Sequence, residues 1–332
     1  MRQQPIVLVG AAFLLSAGCG AGSSGGGSVG PSTPTVASSS PAVAASPTIL
    51  VSPIPMPTFA QLAAPSGSVV WVLVGGLELF RSKDRGDTWQ QRPLPSSPGT
   101  EWLSFVDDHE GWVLSSGSPA TQCQVQLVWI WHTVDEGASW LRLNASGIGD
   151  SQCKSSLSFV DPTHGFLVAW DLNHMPVIYR SGDGGRTWRA SKPLPDPPGF
   201  TSSQPGGVTL MPGQVHAFGS TLLVQAGRYI FRSTDGGATW SHLASTPAGS
   251  ASIAFVTATR WLELVPGQSK ETLDAGTTWH GYASDYHQAA GVPPQLVFGD
   301  AQVGYATVRG GLQRTVDGGL HWVVLRTPGT SP

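Results

Sequence analysis

Six copies of one octet constrain what this chain can fold into more than any other feature. The first reads Ser82-Lys83-Asp84-Arg85-Gly86-Asp87-Thr88-Trp89. The other five end at Trp140, Trp188, Trp240, Trp279 and Trp322, with Asp135, Asp183, Asp235, Asp274 and Asp317 at the equivalent place. The consensus is S/T-x-D-x-G-x-T/S-W, and only His321 departs from it. Asp followed two residues later by Gly is hairpin chemistry: the carboxylate accepts backbone N–H groups and the glycine takes the positive φ. Apolar runs such as Leu77–Phe80, Leu127–Trp131, Val177–Tyr179 and Tyr229–Phe231 precede the octets, and short runs such as Leu141–Leu143 follow them. Each octet therefore joins two antiparallel strands, and its Trp opens the second.

A second pattern lies upstream. Leu103-Ser104-Phe105-Val106-Asp107 leads to Gly111-Trp112; Leu157–Asp161 leads to Gly165-Phe166; Leu296–Asp300 leads to Gly304-Tyr305. Looser versions start at Val208 and Ile253. These are two more strands, so each unit has four, A to D, with the octet at the C–D turn. The tryptophans recur about every 40–50 residues, the length of one blade of a β-propeller. The expected fold is all-β: a propeller of four-stranded antiparallel blades over residues 57–328, followed by a tail at 329–332. Six octets imply six blades. A seventh would need Ile49–Val51 as a closing strand, and the first strand of blade one, Phe59–Leu62, is weakly marked.

The octet resembles the Asp-box, or bacterial neuraminidase repeat, of the sialidase-like β-propellers over roughly residues 58–326. The combination F-V-D, G-W and I-Y-R-S-x-D-G-G-x-T-W is similar to the photosystem II assembly and stability factor family and its bacterial relatives. That resemblance implies an exported or lipid-anchored, non-enzymatic binding platform in which the boxes stabilise the fold. The alternative it offers is an exo-acting glycoside hydrolase of sialidase type. Such an enzyme needs three arginines on the substrate carboxylate, a Tyr–Glu pair and an Asp acid/base. The Arg-Ile-Pro motif that carries the first arginine is absent. None of the six Glu stands in an obvious pair with Tyr179, Tyr229, Tyr282, Tyr286 or Tyr305 on the inner strands.

The chain begins with an address. Pro5–Ala17 is an apolar run too short to span a bilayer, followed by small residues and Cys19. Residues 1–18 resemble a lipoprotein signal, with Cys19 the lipidated residue; an ordinary secretion signal is the alternative. From Gly20 to Met56 no residue is charged, and Gly, Ser, Pro, Ala and Thr dominate, the composition of a disordered tether. The protein is expected outside the cell membrane, anchored to it through Cys19. Cys123 and Cys153 remain, and an even pair in an exported protein is expected to form a disulfide.

Composition narrows the rest. Eighteen basic against 21 acidic residues, a net charge of −3, argues against nucleic-acid binding. Nine His without metal-ligand spacing, and glycines that belong to box turns, suggest no metal and no cofactor. A monomer is expected. In a four-stranded blade the A–B and C–D turns share one face, and the B–C loops and D-to-A connectors share the other. The longer segments fall on the second face. They bring Trp102, Asp171, His174, Phe200, Asp285, Tyr286, His287 and Arg309 forward as candidate ligand-binding residues for a protein or glycan partner.

Overall fold

In a computed structural model of the chain, all six octets close C–D hairpins and the sequence folds into six antiparallel sheets. The structure describes residues 48–50, 60–95, 100–117, 125–170, 176–201, 210–247, 249, 252–287, 295–308 and 311–325. The signal segment, Cys19 and the tether to Pro47 lie outside them.

Blade one contains β1 (Thr48–Leu50), β2 (Ala60–Ala63), β3 (Val70–Val74), β4 (Glu78–Ser82) and β5 (Trp89–Arg92). Blade two contains β6 (Thr100–Phe105), β7 (Gly111–Ser116), β8 (Val128–Thr133) and β9 (Leu141–Leu143). Blade three is β10 (Cys153–Phe159), β11 (Gly165–Trp170), β12 (Pro176–Ser181) and β13 (Arg189–Ala190). Blade four is β14 (Pro212–Phe218), β15 (Thr221–Ala226), β16 (Tyr229–Ser233) and β17 (Ser241–Ser245). Blade five is β18 (Ile253–Phe255), β19 (Trp261–Glu263), β20 (Lys270–Thr272) and β21 (His280–Gly281). Blade six is β22 (Leu296–Phe298), β23 (Gly304–Val308), β24 (Gly311–Thr315) and β25 (Val323–Leu325).

The ring is therefore six-bladed. Residues 48–50 build no seventh blade. They join blade one as a fifth strand, antiparallel to β5, with Thr48 opposite Gln91 and Leu50 opposite Trp89. The segment expected to be a free tether to Met56 thus meets the propeller at Thr48. The strand overlaps Ile49–Val51, the candidate closing strand, but it extends blade one.

The core lies between blades. Trp71 on β3 stacks on Phe105 of the next blade at 3.7 Å, and Trp112 on β7 stacks on Phe159 at 3.8 Å. Such contacts add roughly 0.5–1.5 kcal/mol beyond area burial. They also explain the Gly-aromatic pairs that open the B strands. A Cβ on Gly111 would stand 2.3 Å from the Phe105 ring, and one on Gly165 2.5 Å from Phe159.

Among the described residues no strand is exchanged between blades six and one, and side chains join the two. Leu62, Val72, Phe80 and Trp89 of blade one form one cluster with Val303, Tyr305 and Leu312 of blade six. Arg314 donates to the carbonyl of Arg85 and to Asp87, both at 2.7 Å.

Candidate functional site

The octets come first, because six Asp and six Trp invite a functional reading. In box one, Ser82 Oγ donates to Asp84 Oδ1 at 2.7 Å and accepts from the Gly86 N–H at 2.7 Å. Thr88 donates to the same carboxylate through its N–H at 2.8 Å and its hydroxyl at 2.6 Å. The same arrangement recurs at Asp135, Asp183, Asp235 and Asp274. In box six the exception keeps the chemistry. His321 donates its N–H to Asp317 Oδ1 at 2.9 Å, and its Nδ1 takes the place of the hydroxyl. Burial alone would raise the Asp317 carboxyl, but the His321 N–H and imidazole outweigh it and hold it near 2. Every box carboxylate is thus engaged by its own turn. The indoles pack into blades: Trp89, Trp188, Trp240 and Trp322 are buried, with Trp140 and Trp279 packed against neighbouring clusters.

The arginines ahead of the boxes divide by position. Arg81 is fully buried and bonds to Asp108 and Glu136 of blade two, joined there by Lys83 and Arg92. Asp108, His109 and Glu136 stand close enough together to hold a cation. Their oxygens already face two guanidiniums and an ammonium, which makes the group an ion-pair seam between blades.

The inner A strands run side by side without pairing, so their edges need other partners. Side chains supply them. Gln61 Oε1 accepts from the Leu103 N–H at 3.1 Å, Ser104 Oγ from Phe159 at 2.7 Å and Ser158 Oγ from Val215 at 3.2 Å. Gln295 grips Leu62 twice, accepting its N–H at 2.7 Å and donating to its carbonyl at 3.2 Å.

The A strands enclose a central cavity of about 190 Å³, lined by Phe105, Phe159, Phe218, Phe255 and Phe298 together with Ser104, Ser158, Gln214 and His216. Gln295 Nε2 reaches Gln214 Oε1 across the ring at 3.4 Å. Among the described lining residues His216 is the one titratable group, and burial pushes its imidazole down to about 4.

The two faces differ. On the box face, A–B turns bond to C–D turns in five blades, as in Glu136 N–H to His109 O at 3.0 Å and Gly318 N–H to Gln302 O at 2.8 Å. These turns are short and alike. On the other face the B–C loops range from residues 227–228 in blade four to 117–127 in blade two. Leu77, Val125 and Leu127 are exposed there, on adjacent blades one and two. Behind them Lys154 is buried with its ammonium donating to the carbonyls of Gln126, Gly149 and Gln152 at 2.7–2.8 Å. It clips the long loop to the connector leaving blade two. Burial lowers it to about 8, which leaves it mostly charged at neutral pH.

The sequence-selected residues that the structure describes stand at separate places on the ring. Trp102 lies in β6, half-buried against the core between blades two and three. Phe200 is half-buried, edge-on to Tyr229 at 5.9 Å. Asp171, His174 and Arg309 lie outside the described residues, as does Cys123; Cys153 is buried at the start of β10. Asp285 and His287 are exposed and Tyr286 is buried, and all three stand beside blade six. Asp285 donates its N–H to Leu320 O and accepts from the Trp322 N–H at 2.7 Å, so it sits against the box of blade six. Tyr286 is 1% exposed and packs on Trp322 at 5.5 Å. The His287 carbonyl accepts from Gln313 at 2.7 Å. The cause is the two-residue strand β21. The chain leaves blade five early and meets the next box before it climbs. The seam glutamines, Lys154 and His216 were not among the expected residues. The one sequence signal for them is a Gln or Ser repeated at A-strand positions.

Residues 231–242 match the BNR/Asp-box repeat model. No curated protein sequence matches the chain. Among solved structures, YCF48 bound to D1 peptide is 18% identical, covers 81% of this chain and 94% of its own, and superposes with a TM-score of 0.46. YCF48 from Cyanidioschyzon merolae is 18% identical with 82% and 84% covered and a TM-score of 0.47. The SapL1 lectin in complex with alpha methyl fucoside is 15% identical, with 83% and 98% covered and a TM-score of 0.53. The likeness to the lectin is one of fold alone.

Proposed function

We propose that this Asp-box β-propeller is a binding platform for a protein or glycan, held outside the cell membrane by a lipid on Cys19. One observation carries the reading: loop length varies on one face, while the box face is built from short, similar turns. A rigid ring that varies its loops on a single face offers a recognition surface there. Leu77, Val125 and Leu127 supply exposed apolar contacts on it, and Trp102 and Phe200 form half-buried aromatic footing. The Cys123–Cys153 disulfide belongs to the same reading. Gln126 and Asp150, each three residues from one of these cysteines, are already bonded at 2.8 Å.

Glycoside hydrolysis has weaker footing. The described cavity lining offers His216, hydroxyls and amides, with neither a carboxylate nor an arginine in it. The test is a peptide and glycan array probed with the protein and with a Leu77→Asp/Leu127→Asp variant. A ligand retained by the native protein and lost by the folded variant supports the platform. Equal binding by both removes the loop face from the account.

A further inference from the structure

The exposed large apolar side chains are distributed unevenly around the ring. On the box turns and outer strands they are Val134 and Leu141 of blade two, Leu273 of blade five, and Val316, Val323 and Val324 of blade six, each about half exposed or more. Among the described residues, blades three and four expose none. They expose Arg186, Arg189, Lys192 and Arg232 instead. Scattered single apolar residues need no explanation, but a run of them along one sector of a rim does.

The tether reaches the propeller in the middle of that sector. Strand β1 lies on the outer edge of blade one, between blades six and two. Cys19 is joined to that strand through Gly20–Pro47, a run without charge, so the chain that carries the anchor meets the propeller on the rim of blade one, between the apolar blades on either side.

We infer that the occupant of this sector is a lipid surface. The propeller rests on the bilayer through the box-side rim of blades five, six, one and two, with blades three and four raised and the loop face turned away. Part of the charge within the sector is paired: Lys83 with Glu136 at 3.0 Å, Asp87 with Arg314 at 2.7 Å and Asp317 with His321 at 2.5 Å; Arg85, Arg142 and the box carboxylates of Asp84, Asp135 and Asp274 are exposed there and stay on the water side of the contact. Contact therefore comes from apolar side chains entering the interface, and a neutral bilayer suffices. The inference rests on the lipid at Cys19, and the two can fail separately.

The experiment uses the full-length protein purified from cells and reconstituted in phosphatidylcholine vesicles that contain a diazirine-bearing phosphatidylcholine. After photolysis, peptide mass spectrometry maps the lipid adducts and reads the mass at Cys19 in the same digest. The expected result is an acylated Cys19, adducts concentrated on peptides spanning 130–143, 270–276 and 311–325, and at least a threefold drop on the last in the Val323→Ser/Val324→Ser variant. An acylated Cys19 with adducts spread evenly over six blades, or concentrated on the Arg189 and Arg232 peptides, overturns the orientation and leaves the anchor standing. An unmodified Cys19 on protein that does not bind the vesicles overturns both.

Discussion

Replacing Gln295 tests how the ring is closed. Among the described residues no strand crosses from blade six to blade one, and the two hydrogen bonds between Gln295 and Leu62 take the place of a sheet ladder at that seam. Gln295→Met keeps the length of the side chain and removes both. Each neutral hydrogen bond contributes about 1 kcal/mol net, and a buried N–H left without an acceptor costs about 1–3 kcal/mol. Leu62 is 1% exposed, so water cannot fully replace the amide. The expected loss is about 2–4 kcal/mol, or roughly 6–12 °C in Tm for a loss near 3 kcal/mol in a domain of this size. Ser158→Ala is the comparison, because Ser158 Oγ accepts a single N–H, from Val215, at an interior seam; it should cost about 1 kcal/mol. Urea unfolding followed by tryptophan fluorescence gives both numbers, and hydrogen exchange should localise the Gln295→Met effect to blades one and six. A Gln295→Met loss below about 0.5 kcal/mol, or one no larger than that of Ser158→Ala, would refute closure by side chains.

Three further outcomes follow from the same structure. The carboxyls of Asp161, Asp274 and Asp317 are held near 2 in the fold, so their contribution is complete above the ordinary carboxylate range and disappears as pH falls through about 2. The urea midpoint should drop steadily between pH 4 and pH 2; a flat profile there contradicts the turn geometry of these aspartates. Gly237→Ala should destabilise by more than about 1 kcal/mol, because φ is +79° and the new Cβ would stand 2.5 Å from Phe166; Gly182→Ala, with nothing within 4 Å, should be silent in the same thermal melt. Lys154→Met leaves three carbonyls without their donor, and limited proteolysis should cut residues 117–127 several-fold faster while the other blades are unaffected.

What the sequence reveals depends on whether an interaction is local. The octet is local: Ser82, Asp84, Gly86 and Thr88 bond to one another, so their spacing alone discloses the turn and, counted six times, the ring. His321 looks like a defect in the pattern, yet it serves because an imidazole N–H can donate where a hydroxyl does. The seams are not local. Gln61, Gln214 and Gln295 read as ordinary strand residues until neighbouring blades are in place. Lys154 looks like a surface cation, but its partners come from a loop and a connector that only the fold brings together. Tyr286 was expected on a loop because its segment lacks strand pattern. The shortness of β21 directs that segment into the groove beside Trp322, and the two-residue pairing of β21 with β20 sets that length.

The most direct measurement is crosslinking capture in living source cells with tagged full-length protein, run beside a loop-face variant, Leu77→Asp/Leu127→Asp, and a box-face variant, Val134→Ser. All three should fold alike by circular dichroism. The account predicts a discrete partner or glycan adduct captured by the native protein and by the box-face variant and lost in the loop-face variant. Capture lost only in the box-face variant, or unchanged in both, would contradict it.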